Sequence, residues 1–129
     1  MIQTLFLVGL GGALGAIGRY LTVLGAVRLF GTGFPLGTLA VNVLGSFLIG
    51  ALAILLIGPR AASPALPFLV TGFLGGFTTF SAFSLDALKL WQAGQGGLAA
   101  LYVVASVGLS LAAVVAGGAS VAAMRGYPG

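Results

Sequence analysis

Four apolar runs, covering roughly residues 4–29, 36–58, 66–91 and 97–124, restrict this chain more than any other feature. Each is near or above the roughly 20 residues that an α-helix needs to cross a bilayer. Within hydrocarbon, only helices and closed barrels satisfy their own backbone. The connections are short and rich in helix-ending residues: Gly31-Thr32-Gly33-Phe34-Pro35, then Gly58-Pro59-Arg60 through Pro64, then Gly94-Gln95-Gly96-Gly97. A hydrophobic content of 60% with 5% charged residues excludes an ordinary soluble globule. The expectation is an all-α membrane protein, one domain over residues 1–129, with no soluble insertion. The first run has the small residues of a signal peptide but lacks a basic leader, and its apolar pattern continues past Ala16 toward Phe30. It reads as a retained helix.

Composition removes most routes to catalysis. There is no cysteine, histidine or glutamate, and Asp86 is the sole acid, so a Ser–His pair, a zinc motif or an Asp dyad cannot be assembled within one chain. No GxxxxGK[ST] phosphate loop is present. The net charge of +4 comes from scattered cations that form no basic patch, so nucleic acid is not an expected partner.

Within the third run, Thr71–Ser84 (TGFLGGFTTFSAFS) departs from the pattern of a simple membrane span. Gly72, Gly75 and Gly76 weaken a helix, and the β-branched pair Thr78-Thr79 follows directly. The stretch predicts a broken helix. Backbone groups freed in hydrocarbon are tolerated only where protein, water or an ion meets them, so the break predicts a site. Phe80 and Phe83 then share one helix face, and Ser81 and Ser84 a neighbouring one. Further on, Asp86 and Lys89 at i,i+3 read as an ion pair near the membrane surface with Trp91 as interfacial anchor. The other reading of Asp86, a proton carrier, needs the carboxyl deep in the membrane.

Polar residues recur every four positions in the other runs. Gly11 and Gly15 lead to Arg19, whose glycines read as a close-packing face; Arg19 itself either snorkels to the interface or draws anions toward a vestibule. Thr38, Asn42, Ser46 and Gly50 form one stripe, which serves either close packing or a pore. For Asn42 the second use is favoured, because a mid-membrane carboxamide has two N–H donors and a carbonyl to satisfy. Tyr102, Ser106 and Ser110 place three hydroxyls on one face, either bonded back to their own helix or forming one wall of a polar track.

Four spans put both termini on one side. Arg60 and Arg125 fall there, while Arg28 and Lys89 fall opposite, joined by Arg19 if its head snorkels that way, so the positive-inside bias is close to nil. A chain without a preferred orientation inserts both ways and is expected to pair as an antiparallel, dual-topology homodimer. Two copies of the Gly75–Thr79 break would then meet near the midplane. Their exposed carbonyls either cage a cation or simply mark a close glycine crossing.

With these residues in view, the chain resembles the Fluc (CrcB-type) fluoride channels over essentially its whole length. The most specific parts are GTLAVNVLGSFLIG, residues 37–50, and TGFLGGFTTFSAFS, residues 71–84. The resemblance implies a dual-topology dimer of four-helix subunits in the cell inner membrane, with two fluoride pores and a structural sodium ion at its centre. It further implies that Asn42, Phe80 and Phe83 line the fluoride pathway, with Thr38, Ser81, Tyr102, Ser106 and Ser110 on its hydroxyl side. Backbone carbonyls of Gly75 and Thr78 correspond to sodium ligands, and Arg19 to a first-helix arginine. Asp86 is a departure, since relatives can carry Glu there.

The implied activity is passive export of fluoride, which enters cells as the weak acid HF and ionises inside. Two rivals fit less well. A small multidrug-type exporter also has four short helices, but its proton coupling needs a membrane glutamate. A structural scaffold would need neither Asn42 nor an interrupted third span. The orientation argument is tested by a C-terminal tag: labelling from both faces of the membrane is expected, and labelling from one face alone contradicts it.

Overall fold

The computed structural model describes residues 1–56 and 63–126. Helix α1 is Ile2–Phe30 and α2 is Leu36–Leu55. The third span begins as a π-helical run, Pro67–Leu74, continues as a single α-turn, α3 (Gly75–Phe77), and resumes after two residues as α4 (Phe80–Gln92). Helix α5 is Gly96–Met124. Four spans are long and apolar enough to cross a membrane, and no strand occurs among the described residues. The end of the second run beyond Leu56, the Gly58-Pro59-Arg60 connection and the Arg60 charge lie outside the described residues.

Helix ends follow local chemistry. Gly31 (φ 79°) and Gly94 (φ 77°) adopt the left-handed conformation that a side chain disfavours, and they turn the chain after α1 and α4. Pro35 stands immediately before α2, and Pro67 occupies the first position of the π-helical run, where its missing N–H is least costly.

The spans pack as two close pairs. Helix α1 lies on the third span, where a Cβ at Gly11 or Gly15 would strike the carbonyls of Phe68 or Phe73. From the other side, Gly72 and Gly76 face the carbonyls of Val8 and Gly12. Helices α2 and α5 form the second pair, with Gly50 against the Val114 carbonyl and Gly117 against that of Phe47. Lipid tails are as apolar as leucine, so such pairs gain from backbone-level van der Waals contact rather than from hydrophobic burial.

The glycines of the third span therefore act differently from the sequence expectation. Gly75 is helical (φ −62°, ψ −36°), and Gly72 and Gly76 stay within helical turns while letting α1 approach. The extended residues are the two threonines that follow, Thr78 (φ −81°, ψ 159°) and Thr79 (φ −157°, ψ 122°). β-Branched side chains favour that conformation, whereas glycine gains little from it.

Within the most apolar stretch of each span, only 11–22% of the residues are buried by the rest of the chain. Much of the remainder is half-buried or exposed, and Leu10, Leu14, Ile17, Val104 and Leu111 are exposed apolar surface. This is the exterior of a multi-pass membrane protein. Replacing Gly117 by Val is expected to push α5 off α2 at the cost of about 1–3 kcal/mol or more, measured as a lower midpoint in reversible detergent unfolding. The same substitution at Gly108, which has open space around it, is expected to change the midpoint little.

Candidate functional site

The site is built outward from Thr78 and Thr79. Thr78 ends the preceding turn, with its N–H and Oγ1 both donating to the Leu74 carbonyl at 2.9 Å. Thr79 begins α4, its Oγ1 accepting from the Ala82 N–H at 3.1 Å as an N-cap. Its backbone is held from another span. The Thr79 N–H donates to Asn42 Oδ1 at 2.7 Å, and Asn42 Nδ2 donates to the Thr79 carbonyl at 2.9 Å.

These bonds redirect two helical donors. In an uninterrupted helix the Gly75 carbonyl would accept from the Thr79 N–H and the Thr78 carbonyl from the Ala82 N–H. Here those N–H groups go to Asn42 and to Thr79 Oγ1. The Gly75 and Thr78 carbonyls are thus released from their ordinary partners.

A side-open groove of about 360 Å³ runs alongside, between α2, the third span and α5. Asn42 and Ser46 line it from α2, and Ser106 and Ser110 from α5. Gly75, Thr78 and Thr79 form its inner edge, with Phe80 and Phe83 at the start of α4. Among the described residues, no charged side chain lines it.

An aromatic column runs inward from the groove. The Phe80 and Phe83 rings are 5.4 Å apart, Phe83 and Tyr102 are 5.3 Å apart, and Tyr102 meets Phe34 edge-on at 5.5 Å. Phe83 is 8% exposed and Tyr102 fully buried, whereas Phe80 is 78% exposed. The two phenylalanines thus differ: one is fixed in the core, and the other stands at the outer surface of the chain.

The Tyr102 hydroxyl donates to Asp86 Oδ2 at 3.3 Å. Among the described residues this is the partner of Asp86, and the Asp86–Lys89 ion pair expected from their spacing does not form. The reason is reach: Asp86 turns inward toward α5, while Lys89 stays exposed on the rim of a smaller cavity of about 210 Å³ that both residues line with Thr32 and Gln95.

The structure gathers Asn42, Phe80, Phe83, Ser106, Ser110, Gly75 and Thr78 at the groove. Thr38 is buried beside the Tyr102 side chain and is not a lining residue, and Tyr102 itself sits one layer behind. Ser81 is exposed, its Oγ 3.4 Å from Thr79 Oγ1. Thr79 is the residue that sequence reasoning passed over. Its signal was present, since a threonine before Phe80-Ser81-Ala82 sits where a helix restarting after a break needs an N-cap.

Ser106 Oγ is buried and finds no partner of hydrogen-bonding geometry among the described residues. It lies beside the Tyr102 hydroxyl, whose environment it shares with Thr38.

Four membrane-length helices with a groove carrying Asn42, Ser46, Ser106 and Ser110 between them define a multi-pass membrane protein with a polar-lined groove between its spans. Residues 6–118 match the family described as "CrcB-like protein, Camphor Resistance (CrcB)", and the chain belongs to that family. It is 60% identical over 129 residues to a protein of Cereibacter sphaeroides named fluoride-specific ion channel FluC, covering 98% of each chain. Proteins of the same name from Rhizobium etli and Agrobacterium fabrum are 56% identical over 118 residues and 55% identical over 112 residues. These alignments cover 91% and 86% of this chain, and 94% and 90% of the relatives.

Removing a buried hydroxyl that makes no hydrogen bond of full geometry costs little. Ser106→Ala is therefore expected to leave the unfolding midpoint of the protein unchanged or raise it slightly. A destabilisation above about 1 kcal/mol would mean that the hydroxyl is satisfied after all.

Proposed function

We propose that this protein is a fluoride-selective ion channel of the inner (plasma) membrane, not an enzyme, exporting fluoride passively. The observation that carries the reading is the groove: it offers Asn42, Ser106 and Ser110 as hydrogen-bond donors and has no fixed cation among its lining residues. Fluoride is small and strongly hydrated, so a pathway must replace its water without trapping it. Amide N–H groups, hydroxyls and the positive edges of the Phe80 and Phe83 rings supply partial charges of that strength. A lysine or arginine at the narrowest point would hold the ion too tightly. Thr38, Tyr102 and Ser81 belong to the pathway through their hydroxyls, the first two as the layer behind Ser106.

The working unit in this reading is an antiparallel homodimer with two pores. A single chain leaves its groove open along one side and the Phe80 ring exposed. A second copy in the opposite orientation closes the groove and brings its own ring to the wall. The weak charge asymmetry of the chain permits both orientations.

A sodium ion at the dimer centre fits the residues present. Sodium prefers oxygen ligands, and the Gly75 and Thr78 carbonyls are among those at the interruption whose helical donors bond elsewhere. Gly75 is exposed in the single chain, so the partner's copy can approach it. When bound, the ion would neutralise these carbonyls and add positive potential to the pathway.

Anion efflux from liposomes holding purified protein tests the function. Fluoride efflux well above chloride efflux is expected. Asn42→Asp and Phe80→Ile are each expected to lower fluoride efflux about tenfold or more, a barrier increase of ~1.4 kcal/mol, while folding is retained. Equal fluoride and chloride fluxes would overturn the selectivity.

A further inference from the structure

We infer that Asn42 is a positioning residue, whose carboxamide latches the Thr79 peptide and so keeps Thr78 and Thr79 out of helical conformation whether or not an ion is present. The inference deepens the channel reading and rests on it only for the consequence for flux.

The geometry is selective. In a helical residue the N–H and C=O point in opposite directions along the axis, so one small side chain cannot meet both. In an extended residue the two groups lie on the same side, as they do when antiparallel strands exchange a pair of hydrogen bonds. Thr79 is extended, and its N–H and C=O are met by Oδ1 and Nδ2 of the same carboxamide, at 2.7 and 2.9 Å. The Asn42 side chain stands where the edge of a neighbouring strand would stand. It binds the extended form of residue 79 and has no equivalent pair to offer the helical form.

The residue type follows from this. Asparagine carries both a donor and an acceptor on one plane. Aspartate offers only acceptors and sets a carboxylate against the Thr79 carbonyl, while leucine or alanine offers neither group. Without the latch, the Thr79 N–H is free to return to the Gly75 carbonyl and close another helical turn. The carbonyl assigned to sodium would then be spent on the helix. The second N–H of Nδ2 is aimed by the same two bonds, because they fix the amide plane, and Asn42 lines the groove. One residue thus sets the backbone and orients a donor.

Magic-angle-spinning NMR of the full-length protein in fluoride-free lipid bilayers tests the latch. In the native protein the Thr79 amide is expected to exchange with deuterated solvent at least tenfold more slowly than the exposed turn amides at Gly94 and Gln95. A through-space contact between Asn42 Nδ2 and the Thr79 carbonyl carbon is expected as well. In Asn42→Ala the Thr79 carbon shifts are expected to move from extended toward helical values, together with at least a tenfold loss of fluoride efflux.

Thr79 shifts that remain extended in Asn42→Ala overturn the inference, and so does fast exchange at Thr79 in the native protein. If Asn42→Ala yields no folded protein, the native exchange rate and the Asn42–Thr79 contact decide the matter by themselves. A native protein that shows the latch but conducts no fluoride refutes the channel reading and leaves the latch standing. One that conducts fluoride with Thr79 unlatched does the reverse.

Discussion

A polypeptide that leaves helical conformation inside a bilayer must find partners for the backbone groups it frees, and this requirement governs the middle of the present structure. Two residues, Thr78 and Thr79, are extended between α3 and α4, and their N–H groups are met by Leu74 and Asn42. The Ala82 N–H, left over at the start of α4, is met by Thr79 Oγ1. An unsatisfied group in hydrocarbon costs several kcal/mol, so each contact is close to obligatory. Leu74 and Thr79 serve from within the third span, whereas Asn42 reaches across from α2 and ties that helix to the third span at the point where the groove lies.

The gross architecture was legible because hydrophobic segments of membrane length have few alternatives. The four runs and the connections at 31–35 and 94–97 correspond to the spans and turns of the structure, and the small-residue steps at Gly11–Gly15 and at Gly50 lie at close backbone crossings. Less legible was how one residue type divides its uses. Glycine is both a helix breaker and a packing residue, and sequence alone does not say which use applies. In the third span the close approach of α1 decided in favour of packing, and the extended conformation fell to the β-branched pair that follows.

The candidate site was readable as a set of residues but not as an arrangement. The four-residue spacing of Tyr102, Ser106 and Ser110 put three hydroxyls on one face of α5, yet the structure gives them different circumstances. Tyr102 is bonded to Asp86, Ser106 is buried beside the Tyr102 hydroxyl, and Ser110 lines the groove half-exposed. Periodicity locates a face of a helix but not the depth at which each residue sits, which depends on the neighbouring helices. The Asp86–Lys89 expectation failed for the same reason: the i,i+3 rule describes an isolated helix surface, and a buried tyrosine on the adjacent helix drew the carboxylate inward.

The glycine crossings have a consequence for the calibre of the passage between α2, the third span and α5. Side chains can change rotamer and let a gap breathe, whereas peptide planes in direct contact leave no such slack. Gly50 and Gly117 set the spacing of α2 and α5 backbone against backbone, and Gly45 lets the Thr78 methyl seat directly on α2. The distance between α2 and α5 beside the groove is therefore gauged by main chain rather than by side-chain rotamers.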